Sequence, residues 1–326
     1  MNNTIFRTEV MTKLVQKFPR PNLIGLEMAK KRSVKISGQI AKWDVIHNSR
    51  NMAPLTVPGA EATPTGLMSK EKKTSEMAYT RVKKTLDAQT MYWVRQPGTE
   101  NAQEGEQAVM RELNDLDFMV DQRNEWLFWQ MHTGALAYDE NGVKIDIDYG
   151  VAASHKPTAA VLWSDTANAD PLANITAWCK VIEEDGGVAP DKLYLHRTAM
   201  GYLKDNVKVQ AMLKNLFKSS DGITSRIKEL ILADTGLEII VYSAGYVPVG
   251  GSFTPHIAAN KAIITAGDDY FDYQEGSSLD IKAKGRPGKF SKSFEVEDPS
   301  ERTVLEEHYR LPVLTQVERM ACATIA

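Results

Sequence analysis

Residues 101–136 read NAQEGEQAVMRELNDLDFMVDQRNEWLFWQMHTGAL. Val109, Leu113, Leu116, Val120, Leu127 and Met131 recur at the spacing of one helical face. Glu104, Glu106 and Glu112 load the early part with acid, which suits a helix N-terminus. Gly134 lies near the end, and Asn141-Gly142 makes a turn. The stretch is therefore expected to be one long helix, roughly 50 Å at a rise of about 1.5 Å per residue. That exceeds the usual globular helix and implies a backbone spanning a flat or elongated subunit.

Downstream, Val143 to Tyr149 patterns as a strand, and Pro157 to Asp170 as a loop. Asp170-Pro171 opens a helix, because Asp accepts the free N–H groups and Pro fits the first helical position. Its buried face carries Ile175, Trp178, Cys179 and Ile182, and Gly186-Gly187 ends it. The strand Lys192 to His196 follows, and Thr198 is expected to cap the next helix. Another helix runs from Thr224 to about Asp234, stopped by Gly236. With strands Leu237 to Tyr242 and Lys261 to Ala266, this makes an α/β unit: a mixed sheet flanked by helices. Beyond it, Leu279 to Ala283 and Phe290 to Val296 alternate like strands. Asp298-Pro299 makes a turn, and the apolar run Val313 to Ile325 adds strands to an earlier sheet.

Upstream, residues 1–50 read as an arm. Val10, Leu14 and Phe18 give Thr8 to Phe18 a short helical pattern, ended by Pro19 and Pro21. Val34-Lys35-Ile36 is strand-like. Residues 51–98 are broken by Pro54, Pro58, Gly59, Pro64 and Gly66. Between Leu67 and Arg95, the cations Lys70, Lys72, Lys73, Arg81, Lys83 and Lys84 interleave with Tyr79, Val82, Leu86, Tyr92 and Val94. The reading is two polar strands of a long hairpin, and a loop of this length is ordinarily functional or disordered.

Composition narrows the function. The chain has 326 residues and a net charge of −3, without the basic stripe of a dedicated nucleic-acid binder. Cys179 and Cys322 are too few for a disulfide framework or a four-thiolate zinc site, and each sits in an apolar run. No apolar run approaches the roughly 20 residues that span a membrane, and no signal-peptide core stands at the N-terminus. Gly285-Arg286-Pro287-Gly288-Lys289 lacks the spacing of a phosphate loop. Gly245, Gly250 and Gly251 lead into Phe253-Thr254-Pro255 and not into a helix, so they form no dinucleotide fingerprint. Asp146 and Asp148 share one strand face and are read as solvated rather than as a cation site. His47, His132, His155, His196, His256 and His308 show no helical metal-pair spacing, and there is no nucleophile elbow. Trp126 and Trp129 are read as packing residues. No catalytic, cofactor-binding or metal-binding residues are therefore expected.

From about Asp121 onward the sequence resembles the lambda-type major head proteins of tailed bacteriophages, which have the Hong Kong 97-type fold. The resemblance is carried by Gly134-Ala135-Leu136, Lys144 to Gly150, Leu162-Trp163-Ser164 before Asp170-Pro171, and Ile239 to Val247. It continues through Ala259-Asn260-Lys261, Thr265-Ala266-Gly267, Glu297 to Glu301 and Leu311-Pro312-Val313. It implies an α+β capsid fold with these parts: an N-terminal arm (1–50), an extended β-hairpin loop (51–98), a peripheral domain with a long spine helix (99–169), an axial α/β domain (170–267), and the return strands of the peripheral domain (268–326).

The same resemblance implies a non-enzymatic subunit that self-assembles into pentamers and hexamers of an icosahedral shell. That shell would be the virion capsid, assembled in the host cytoplasm, with no membrane. Its expected partners are a scaffolding protein, a portal, a decoration protein, and packaged double-stranded DNA contacted non-specifically. The basic hairpin would then lie over a neighbouring copy. The expected inter-subunit contacts are Lys70, Lys72, Lys73, Arg81, Lys83 and Lys84 against acids such as Glu104, Glu106 and Glu112. Two rivals stand beside this reading: an encapsulin-like nanocompartment of the same fold, and a small-molecule-binding or enzymatic α/β protein at residues 170–267.

Overall fold

The computed structural model describes residues 6–19, 22–47, 52–53, 55–59, 61–62, 69–86, 92, 100–140, 142–216, 222–248, 250–296 and 301–326. Pro21, Pro54, Pro64, Gly66, Leu67, Val94, Arg95, Asn141 and Asp298-Pro299, named above, lie outside the described residues. The elements begin with helices α1 (Thr8–Val15) and α2 (Ile24–Lys31) and strands β1 (Ser33–Lys35), β2 (Ile40–Ile46), β3 (Lys70–Glu76) and β4 (Ala78–Leu86). Then come α3 (Glu100–Met131), β5 (Ala135–Glu140), β6 (Val143–Asp148), α4 (Pro171–Gly186), β7 (Lys192–Leu195), α5 (Arg197–Asp205), α6 (Val207–Leu216) and α7 (Ile223–Thr235). The remainder is β8 (Glu238–Val241), β9 (Gly245–Tyr246), β10 (Thr254–Pro255), β11 (Lys261–Thr265), β12 (Phe271–Glu275), β13 (Phe290–Val296), β14 (Glu301–Leu314) and β15 (Met320–Thr324). They form two compact units, each drawn from three stretches of chain.

The first unit takes the chain up to Lys42, Thr74–Phe128 and Asp272–Val313. Its centre is β14, flanked by β13 and β4, both antiparallel to it. The five-stranded sheet runs β1-β12-β14-β13, with β4 also on β14, and β1 lies parallel to β12. α3 lays its apolar stripe on this sheet: Val109, Leu113, Leu116 and Val120 are all buried. Full burial of each such side chain contributes about 1.5–3 kcal/mol. α1 joins the same core through Met11 and Val15, beside Leu86 and Val304. Its Thr12 hydroxyl donates to Ser291 O at 3.0 Å, which fixes the helix along β13.

Two expectations are corrected in this unit. β3 and β4 are not partners in one hairpin: β3 pairs with β2, and β4 with β14. Only Met77 separates them, too short a link for a reversing turn. The alternate residues Ala78 and Leu86 of β4 are instead buried. Leu279 to Ala283 is not a strand. The Asp280 carboxylate accepts the Lys282 N–H, which winds Ile281–Ala283 into a 3-10 turn. The alternation then points Leu279 and Ile281 outward, 69% and 94% exposed.

α3 has 32 residues and stops at Met131, not at residue 136. Gly134 takes φ +84°, where a side chain is strained, and the chain turns there into β5.

The second unit takes Trp43–Lys73, Trp129–Phe271 and Leu314–Ala326. Its sheet has the order β15-β11-β7-β8, with β7 parallel to β8 and the other pairs antiparallel. This is the expected mixed sheet, and α4–α7 bury their apolar residues with it in one core. Trp163 and Trp178 stack there with centroids 5.9 Å apart. A second aromatic group surrounds Trp129, with Tyr194 at 5.1 Å and Tyr242 at 5.4 Å. β5 and β6 form a separate antiparallel hairpin.

The helix ends follow local chemistry. Asp170 accepts the Ala173 N–H, Pro171 occupies the first turn, and Gly187 and Gly236 adopt the left-handed conformation. Thr198 is not the cap of α5, however. His196 is, through Nδ1 accepting the Thr198 N–H at 3.1 Å. A buried Asn206 caps α6 by accepting the N–H groups of Lys208 and Val209. Asp170→Ala is expected to destabilise the chain by about 1 kcal/mol, read as a lower urea midpoint with an unchanged m-value.

Candidate functional site

The features that stand out among the described residues are charged surfaces and the contacts that hold their shape. β4 presents Tyr79, Arg81 and Lys83 on one face. Tyr79 stacks on Tyr309 at 4.2 Å, and Arg81 Nε lies 3.3 Å from Glu307 Oε1. Burial and the nearby Glu307 push the Tyr79 hydroxyl up to about 12. Glu307 is itself buried and accepts from Ser278 Oγ at 2.7 Å. On the other face Lys84 reaches Glu112 of α3 at 2.7 Å and also pairs with Asp115. Burial alone would lower the Lys84 pKa; the two carboxylates reverse the direction and raise it. Lys73 donates to the Asp148 carbonyl at 3.0 Å.

Four of the nine expected contact residues, Lys73, Arg81, Lys84 and Glu112, thus already have partners within their own chain. Lys70, Lys72, Lys83, Glu104 and Glu106 are exposed and form no ion pair among the described residues.

Two arrangements escaped the sequence reading. The first is a cap supplied from far along the chain. α2 has no side-chain cap of its own. Glu125 of α3 fills that role: Oε1 accepts the Gly25 N–H at 3.0 Å, and Oε2 the Leu26 N–H at 2.6 Å. A negative charge at a helix N-terminus is doubly favourable, through the hydrogen bonds and the helix dipole. Only glycine fits at residue 25, because a Cβ there would lie 2.4 Å from Phe128 Cδ1.

The second is an ionic layer between α3 and the sheet. Lys289 Nζ lies 2.5 Å from both Asp117 Oδ1 and Asp121 Oδ1, with all three side chains buried. Glu306 and Arg310 of β14 are also buried. The lysine of the apparent Gly-Lys motif is therefore a structural cation. Its pKa is raised by Asp121 and Asp117 against the opposing effect of burial.

The remaining candidates have local roles. Asp146 and Asp148 are exposed on β6, and Asp148 accepts the Gly150 N–H. No group of three or more His, Cys, Asp or Glu side chains could hold a metal among the described residues. His132 Nε2 bonds the Tyr270 hydroxyl at 2.6 Å, and His155 bridges Met320 O and Asp185. His47 meets Glu318 at 3.2 Å. Burial lowers His256 to about 4. Burial also raises the thiols of Cys179 and Cys322, to about 12 and about 11. No described helix is long and apolar enough to cross a membrane.

A family model described as phage major capsid protein E matches residues 7–325. No curated protein matches the sequence. Among solved structures, the chain is similar to a protein described as the capsid protein of a prophage of E. coli CFT073. The TM-score is 0.66 at 15% identity, covering 96% of this chain and 95% of that one. A phage-related protein from Bordetella bronchiseptica RB50 gives TM-score 0.64 at 14% identity, covering 98% and 96%. A virus-like particle from Pyrococcus furiosus gives 0.50 at 11% identity, covering 97% and 96%. At these identities the likeness is one of fold.

Proposed function

The chain belongs to the phage major capsid protein E family, and from that premise we propose that its copies close into pentamers and hexamers tiling an icosahedral shell around double-stranded DNA. The chain is a structural protein of the phage head with the Hong Kong 97-type fold. The observation that carries the reading is the family match, which runs unbroken over both units. The enzymatic rival would need convergent polar groups at residues 170–267; of the buried polar residues described there, Asn206 caps a helix, and His256 and Thr265 belong to no group of three or more metal-ligating side chains among the described residues.

Heterologous contacts close into rings, and rings tile a curved wall. In this reading the α/β segment 170–267 meets its copies around the ring axis. Lys70, Lys72 and Lys83 of one copy face Glu104 and Glu106 of the next. Rim charges of this kind steer orientation and rate more than affinity, and many weak contacts sum through avidity. The net charge of −3 suits a wall that must not hold its DNA fast. Scaffolding, portal and decoration proteins complete the proposed partners, and assembly in the host cytoplasm completes the setting.

Removing the whole charged segment would be a poor test, because β4 belongs to the five-stranded sheet. Charge reversal is cleaner. Wild-type chain, expressed alone and with a scaffold, is expected to elute from size-exclusion chromatography as large assemblies, seen as shells or rings by electron microscopy. The variant Lys70→Glu, Lys72→Glu, Lys83→Glu is expected to melt within a few degrees of wild type yet lose most of the large species. Normal shells from the variant would remove these lysines from the interface. A wild-type chain that stays monomeric under every assembly condition would remove the shell reading itself.

A further inference from the structure

The ionic layer under α3 holds more carboxyl groups than cations can balance. Asp117 and Asp121 approach from α3 and Lys289 from the segment before β13. Glu306, His308 and Arg310 project from alternate positions of β14, onto one face. Tyr273 and Glu275 approach from β12, and Arg123 and Glu125 flank the layer on α3. His308 is kept neutral, since burial lowers it to about 4, and it lies 3.3 Å from Glu275. Arg310, lowered only to about 10, stays charged at neutral pH.

Glu306 is the misfit. Neither of its carboxyl oxygens meets an N–H or hydroxyl donor among the described residues. The group that acts on it most strongly is another buried acceptor, the Asp117 carboxyl of α3. Two neighbouring buried carboxyls attract only if one carries a proton. A proton on Glu306 removes one negative charge from a layer in which carboxyl groups already outnumber the cations Lys289, Arg310 and Arg123. Without it, one more buried anion stands against the same cations.

We propose that Glu306 and Asp117 form a one-proton clasp, in which the Glu306 O–H donates to the Asp117 carboxylate and holds α3 on β14, so that the grip on the long helix loosens as pH rises. Burial first, then the charge of Asp117, raises the Glu306 pKa well above the ordinary glutamate range. The sign follows from linkage. The folded state binds this proton more tightly than the unfolded state. The clasp is therefore fully effective below the unfolded glutamate value, and stability declines as pH climbs from there through the folded value. The Glu125 cap of α2 lies one turn beyond Asp121 on the same helix, so a loosened α3 also loosens the arm.

The test compares the full chain, kept as dispersed subunits, with Glu306→Gln. The amide N–H of the variant donates to Asp117 as the carboxyl does, but cannot titrate. Urea unfolding across the range from about pH 5 to pH 9 should show the wild-type folding constant falling by up to about tenfold per pH unit relative to the variant. Parallel slopes would overturn the clasp. Infrared spectra of the folded wild type at neutral pH, with isotope-labelled glutamate, should contain a protonated-carboxyl stretch that shifts with the label. Its absence would overturn the proposal even if the glutamine variant failed to fold.

Discussion

Lys289→Met is expected to destabilise the subunit by about 3–5 kcal/mol, the usual cost of removing one partner from a buried ion set. The lysine is the cation nearest two buried carboxylates, each 2.5 Å away. Methionine fills much of the same volume, so the loss is electrostatic and not a cavity effect. The measurement is equilibrium urea denaturation at neutral pH. The companion variant Lys289→Met with Asp117→Asn and Asp121→Asn should recover most of the loss, because it removes the stranded charges as well as their partner. A single-variant loss below about 1 kcal/mol would mean that the aspartates simply take up protons, and that the layer is not held by charge.

The second large effect is expected at Glu125. Its carboxylate accepts two buried backbone N–H groups, at 3.0 and 2.6 Å. Hydrogen bonds to a charged group contribute about 1.5–3 kcal/mol each, and a stranded buried N–H costs a comparable amount. Glu125→Ala should therefore destabilise by about 2–4 kcal/mol. Glu125→Gln, which keeps one acceptor oxygen but turns an NH2 donor toward the other backbone N–H, should fall between wild type and Glu125→Ala. Hydrogen exchange discriminates further, with protection lost first at Gly25 and Leu26 and not throughout α3. Uniform loss over the whole first unit would mean that Glu125 acts in general packing and not as a cap.

Much of the fold was legible where chemistry is local. The apolar stripe of α3 follows from residue spacing alone. So do the Asp170-Pro171 start and the glycine stops of α4 and α7, because caps are decided within one turn. The parallel and antiparallel mixture in the α/β sheet followed from the alternation of elements. Illegible features were those decided by distant partners. β14 reads as polar through Glu306, Glu307, His308 and Arg310, yet all four are buried at the centre of a sheet. β4 looked like half a hairpin because its true partner lies more than two hundred residues away.

The ionic layer did leave a trace. Asp117, Asp121 and Asn124 fall within the same arc of α3 as Leu113, Leu116 and Val120, where a solvent-facing acid has no place. Of the nine expected contact residues, the sequence could not separate the five still exposed from the four already paired. Pairing depends on distant partners: Glu307 of β14 for Arg81, Glu112 of α3 for Lys84, and the Asp148 carbonyl for Lys73.

The order of elements along the chain has a consequence for synthesis. The centre of one sheet is residues 301–314 and an edge of the other is residues 320–324. A nascent polypeptide shorter than that has β4, β12 and β13 without their common neighbour, and β11 with one side bare. At roughly 5–20 residues per second, β4 waits on the order of ten to forty seconds for its partner to leave the ribosome. In that interval bare strand edges need shielding by a chaperone or another transient cover. The same order makes both sheets depend on the last strands to be made. A product that ends before residue 301 lacks the centre of one sheet and an edge of the other.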